Sequence, residues 1–210
     1  KTPGHPEVGH TAGIETTTGP LGQGLANAVG MAFAERHLAA TFNRDGHAII
    51  DHHTWFIASD GDLMEGISHE GASFAGQQKL GKLIGFFDNN HITIDGGTEI
   101  SCSDDAAERF EAYGWHVQHI ADVNDQNAID RAISLAKSES DRPSLIVTRT
   151  HIGYGSPHKV DTSKAHGEAL GKDEILLTKK ELGWPSTEPF FVPDAALAHW
   201  REVRESGAIA

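Results

Sequence analysis

The chain has a single cysteine, Cys102. One thiol excludes any internal disulfide and fits a reducing, cytoplasmic setting. As a lone loop thiol Cys102 invites no role of its own. No apolar run approaches the roughly 20 residues that a membrane span needs, and no signal peptide is evident. Basic residues are few: 17 Lys and Arg stand against 30 Asp and Glu, for a net charge of −13. They are scattered and form no stripe, which argues against a nucleic-acid partner. An initiator Met is also lacking; the chain opens directly on Lys1-Thr2-Pro3-Gly4. That opening suggests a product of processing or cloning, or the interior of a longer protein. What remains is ordinary for a globular domain: 210 residues, 38% hydrophobic and 22% charged. Such a chain is long enough to bury a substantial core.

No internal repeat or low-complexity tract is present. Residues 1–20 are rich in Gly, Pro and Thr and read as loop. Residues 21–42 carry Leu25, Ala28, Val29, Ala32 and Phe33 at helical spacing, with small residues (Gly24, Ala28, Gly30, Ala34) that suggest close packing. Strands and helices then alternate. Strands are expected at 55–58, 83–87, 116–120 and 144–148, and helices at 68–78, 104–113 and 127–138. Asp104 and Asp105 suit the N-terminal dipole of the second of these helices. The rhythm predicts an α/β fold, a parallel sheet with helices on both faces. Residues 151–171 form a loop too long for a simple connection, and such loops are often functional. A helix at 172–182 follows. Residues 185–193 hold three prolines and read as a linker before a last amphipathic helix at 194–205. The expected division is a main domain at 1–184 and a linker with its helix at 185–210.

Two short strings close two of the apolar runs. Ser59-Asp60-Gly61 ends the first, and after 27 intervening residues Asn89-Asn90 ends the second. Open parallel sheets bind ligands at the carboxyl ends of their strands. Asp60 offers a carboxylate and Asn90 an amide oxygen, both hard donors suited to Mg2+ or Ca2+. Ile92 is placed to turn its carbonyl back toward the same ion. Gly61 leaves room for a diphosphate near the backbone. Asp-Gly or Asn-Asn alone is a common turn; the pair at this spacing is more specific.

Seven collinear motifs carry a resemblance. They are Thr2-Pro3-Gly4-His5-Pro6-Glu7, then 15–24 (Glu15 to Gly24), Glu65-Gly66-Ile67-Ser68-His69-Glu70, 88–96 (Asp88 to Gly96), 109–115 (Arg109 to Trp115), Ile152-Gly153-Tyr154-Gly155-Ser156-Pro157, and His166-Gly167. The chain resembles the transketolase family as far as about Trp184, in its thiamine diphosphate (pyrophosphate-binding) part. The resemblance implies the fold above, thiamine diphosphate with Mg2+ (or Ca2+), and transfer of a two-carbon ketol unit between sugar phosphates. It implies Asp60, Asn90 and the Ile92 carbonyl as metal ligands. Gly19, Pro20, Leu21, Gly61, Asn90 and His166 would contact the cofactor. His5 and His166 would lie near the reacting groups, and Glu65 would link paired active sites across a dimer. The family's pyrimidine-binding and C-terminal domains have no counterpart here. A pyrimidine-binding domain or subunit is therefore an expected partner, in a homodimer or heterotetramer. Two alternatives stay open: a non-catalytic cofactor-binding or dimerisation module, and half of another thiamine diphosphate enzyme such as a dihydroxyacetone synthase. The sequence departs from the family pattern at Ser59, where Gly is usual, with only tighter packing expected. It departs again at 160–165, where many relatives carry another His.

Overall fold

The structure, a computed structural model, describes residues 7–209. Helix α1 (Gln23–Phe42) leads into strand β1 (Thr54–Ser59), the short helix α2 (Asp60–Met64) and helix α3 (Gly66–Gln77). Strand β2 (Leu83–Asn89) is followed by a small hairpin, β3 (Ile92–Thr93) with β4 (Gly96–Gly97), and then α4 (Ala106–Ala112). Next come β5 (His116–Ile120), α5 (Gln126–Ser138) and β6 (Ser144–Arg149). Three helices complete the described residues: α6 (Ser163–Gly167), α7 (Lys172–Glu181) and α8 (Asp194–Ile209).

Four strands form one sheet in the order β1-β2-β6-β5, and every pair is parallel. The expected α/β architecture is therefore the one found. The sheet is apolar on both faces, as parallel strands under helices must be. On the first face Phe56, Ala58, Phe87, Leu145 and Val147 meet α1, α3 and α4. Helix α1 presents Leu25, Ala28, Val29 and Ala32, one stripe at helical spacing. Each large aliphatic side chain so buried contributes about 1.5–3 kcal/mol. Gly71 of α3 lets the two helices close up, since a side chain there would meet Leu25 at 3.3 Å. The close contact thus falls on Ala28 and Gly71, while Gly30 and Ala34 are exposed. Trp115 sits edge-on to Phe110 and Phe56 and donates its indole N–H to the Ala72 carbonyl at 2.9 Å.

On the second face Ile84, Ile120 and Ile146 meet Ala132 and Ala136 of α5. That helix leaves edge strand β1 uncovered, so Trp55 and Ile57 remain 42% and 77% exposed. Asp105 caps α4 by accepting from the Glu108 N–H, and Asp125 caps α5 by accepting from the Ala128 N–H. Three features differ from the sequence reading, the β3–β4 hairpin among them. A helical turn begins at Asp60 itself, and α6 interrupts the long loop after β6. Helix α1 starts at Gln23 rather than at residue 21 because Gly22 takes a left-handed conformation, φ 77°. Helix α8 runs on to Ile209.

Candidate functional site

Asp60 and Asn90 are adjacent, as their spacing predicts. The register pairs Ser59 with Asp88, so β1 and β2 end level with one another. Asp60 follows directly at the start of α2, and Asn90 directly after β2. Both are buried, at 8% exposure each. One oxygen of Asp60, Oδ2, accepts from the Asn90 and His91 backbone N–H groups at 3.3 Å each. Asn90 Oδ1 accepts from the Ile92 N–H at 2.8 Å, which folds the chain back toward Asp60. His91 takes φ 62° in that turn. The third strand tip is tied in as well. Thr150 donates its hydroxyl to Asp88, and Arg149 donates to the Asn89 carbonyl at 3.1 Å.

Burial raises the pKa of Asp60, against the lowering effect of its two backbone hydrogen bonds; Asp88 nearby adds to the rise. Among the described residues no Lys, Arg or His forms an ion pair with Asp60. A buried carboxylate without a cationic partner is costly. A divalent ion would relieve that cost. The donors at hand are a carboxylate, an amide oxygen and the Ile92 backbone, all hard oxygens, and they fit Mg2+ or Ca2+. Among the described residues no three His, Cys, Asp or Glu side chains cluster, so a soft-metal centre has no donor set there.

The remaining site residues lie around this pair. Leu21 reaches over Gly61, where a side chain would meet Leu21 Cδ1 at 3.3 Å. Gly19 and Pro20 precede it on an exposed segment. Glu65 is exposed between α2 and α3, and its Cβ lies beside Gly22. His166 is exposed on α6, which packs against β3; Gly167 of the same helix lies near Ile94. His5 lies outside the described residues. A cavity of about 200 Å3 opens against Asp60 and is lined further by Asn89, His91, Cys102, Arg109 and His119. Sequence reasoning missed Asp62, whose carboxylate binds both Ser59 and Gly22. The Ser-x-x-Asp spacing of a helix-capping box was the available signal. Ser59 consequently does more than pack tightly: its hydroxyl is a donor to Asp62.

Comparison with known proteins identifies the family. The sequence matches the family described as "Transketolase, thiamine diphosphate binding domain" over residues 1–210. It is 56% identical over 207 residues to Transketolase 1 of Escherichia coli K12, covering 99% of this chain and 31% of that protein. It is 55% identical over 209 residues to the transketolase of Nostoc sp. PCC 7120, again 99% and 31%. Among solved structures it resembles transketolase from Leishmania mexicana (TM-score 0.91, 44% identity, 96% of this chain and 30% of that one). It also resembles transketolase from Pichia stipitis in complex with sedoheptulose 7-phosphate (TM-score 0.93, 42% identity, 99% and 31%). The chain thus spans about a third of the length of these relatives. It belongs to the transketolase family of transferases and corresponds to the thiamine diphosphate-binding domain of that family.

Proposed function

We propose that this chain supplies the diphosphate- and metal-binding part of a transketolase, completed by a pyrimidine-binding domain or subunit in a dimer or heterotetramer. The observation that carries the proposal is Asp60: a buried carboxylate, held by two backbone amides beside Asn90, with no cation paired to it among the described residues. When bound, thiamine diphosphate supplies the carbanion chemistry by which a two-carbon ketol unit passes from a ketose phosphate to an aldose phosphate. The protein's own groups bind and orient it. Asp60, Asn90 and the Ile92 carbonyl would hold Mg2+ (or Ca2+). Asp60 and Asp88 make the strand tips acidic, so an anionic diphosphate needs that cation between them. Gly61 keeps the turn slim where Leu21 crosses it, and Gly19, Pro20 and Leu21 would form the opposite wall around a bound cofactor. His166 on α6, with His5, would bind substrate hydroxyls or move protons. Glu65 would face its counterpart across the dimer. Residues 1–184 form the binding domain in this reading, and 185–210 a linker and helix leading from it. The soluble, cytoplasmic setting of pentose phosphate metabolism fits the single reduced cysteine.

Calorimetry tests the proposal. Asp60→Ala should abolish Mg2+-dependent uptake of thiamine diphosphate while circular dichroism stays unchanged. Uptake equal to that of the unsubstituted protein would refute the ligand assignment. Ketol transfer by the 210-residue chain alone, with cofactor and Mg2+, would refute the need for a pyrimidine-binding partner.

A further inference from the structure

Asp62 belongs to no ligand set above, yet its carboxylate is fully engaged. Oδ1 accepts from the Gly22 N–H at 2.9 Å, across 40 residues of sequence. Oδ2 accepts from the Ser59 N–H and the Ser59 hydroxyl, both at 2.8 Å. Helix α2 has only five residues, and capping it requires only the bonds to Ser59. The bond to Gly22 is a tertiary one. It ends the segment 19–22, whose Leu21 lies over Gly61.

The neighbours hold Gly22 where Asp62 can reach it. Its φ of 77° is a conformation glycine adopts without strain. A side chain there would come within 2.8 Å of Ile67 and 2.9 Å of Ser68. Ser68 in turn donates its hydroxyl to the Asp62 carbonyl at 2.5 Å. Segments 19–22 and 59–62 therefore meet at the Asp62 carboxylate, and segment 65–68 is tied to the backbone carbonyl of the same residue.

We propose that Asp62 is a positioning residue, a latch that fixes the Gly19–Leu21 wall at a set distance from the Asp60–Gly61 turn and so sets the width of the diphosphate site. The proposal rests on the cofactor reading above. A carboxylate is the group that can do this, because both of its oxygens accept at once. An amide has one acceptor oxygen and would turn an N–H toward one of the donors. Ser59 supplies the matching hydroxyl, so the departure at Ser59 and the carboxylate at 62 act as a pair.

The test uses the protein assembled with its pyrimidine-binding part, at saturating Mg2+. Asp62→Asn should raise the calorimetric dissociation constant of thiamine diphosphate about tenfold, the equivalent of one charge-assisted hydrogen bond. The loss should fall on the cofactor constant and not on turnover at saturating cofactor. Without cofactor, hydrogen exchange of the 21–25 amides should quicken in the same variant. Ser59→Ala, which spares every backbone bond, should raise the constant about threefold, and it serves if Asp62→Asn does not fold. Unchanged constants in both variants, with Asp60→Ala devoid of uptake, would overturn the latch and leave the cofactor reading standing. A lower melting temperature with an unchanged cofactor constant would reduce Asp62 to a helix cap. Wild-type uptake by Asp60→Ala would overturn the cofactor reading, and the latch with it.

Discussion

At Asp60 a negative charge is kept between two strand tips where water is largely excluded. Two backbone N–H groups soften the penalty without cancelling it, so the net effect is a raised pKa. The sign of the stability contribution follows. The folded chain holds a proton on Asp60 at higher pH than the unfolded chain does. The ionised form therefore costs stability above the raised value, and that cost is relieved as pH falls through it toward the ordinary carboxylate range. Asp60→Asn keeps the shape and one acceptor oxygen and removes the charge. In metal-free protein at pH 7 it should raise the thermal midpoint, measured by scanning calorimetry. With Mg2+ and thiamine diphosphate present the order should reverse, because a carboxylate gains more from the ion than a neutral amide does. A midpoint that falls in metal-free Asp60→Asn would show that the charge is better solvated than its burial implies.

Part of the loop between β6 and α7, around Ser156 and His158, is tied to α7 by one side chain. Glu174 of α7 accepts from the Ser156 hydroxyl at 2.5 Å and from the His158 N–H at 2.9 Å, and its Oε2 lies 2.9 Å from His158 Nδ1. Those bonds, the serine first, hold its pKa down to about 2. A depressed carboxylate stabilises the folded form fully above its unfolded value of 4.5 and loses that contribution as pH falls toward 2. The loop it ties down leads into α6 and His166. Glu174→Gln should speed hydrogen exchange of residues 153–162 at pH 7, whereas the unsubstituted protein should reach that state only as pH falls to about 2. Equal exchange rates would mean that the turns within the loop suffice. This anchoring was not legible in sequence, where 151–171 showed only loop composition. The four strands were legible, because a parallel sheet buried on both faces writes each strand as a short apolar run. Asp60 and Asn90 were legible for the same reason, since they end such runs. Helix α2, hairpin β3–β4 and α6 were not. The two helices have five residues each and the hairpin strands two each, too few for a periodic pattern to repeat. Asp62 was hidden because its partner Gly22 is distant in sequence.

Across the whole molecule the apolar surface is unevenly covered. Strand β1 is an edge strand, yet it reads Thr-Trp-Phe-Ile-Ala-Ser, with neither the charge nor the proline that natural edges use against pairing. Trp55 and Ile57 stand out from its uncovered face, and Ile49 close before it in sequence is 69% exposed. On the opposite side Phe33 of α1 stacks edge-on with Phe74 of α3 at 5.5 Å, with both rings near 44% exposed. Single exposed apolar residues are normal, but an apolar edge strand beside an apolar face invites association. The net charge of −13 opposes it, though salt screens that repulsion within about 10 Å at 0.1 M. Produced as 210 residues, the chain should therefore self-associate, and more so as salt rises, whereas purely ionic association would weaken. Sedimentation velocity at low and high salt measures this directly. Ile57→Lys, a charge placed on the open face of β1, should restore the 22.6 kDa monomer without changing the circular dichroism spectrum. If Ile57→Lys associates as before while Phe74→Lys does not, the contact lies on the α1–α3 ridge and the β1 edge is not the sticky surface.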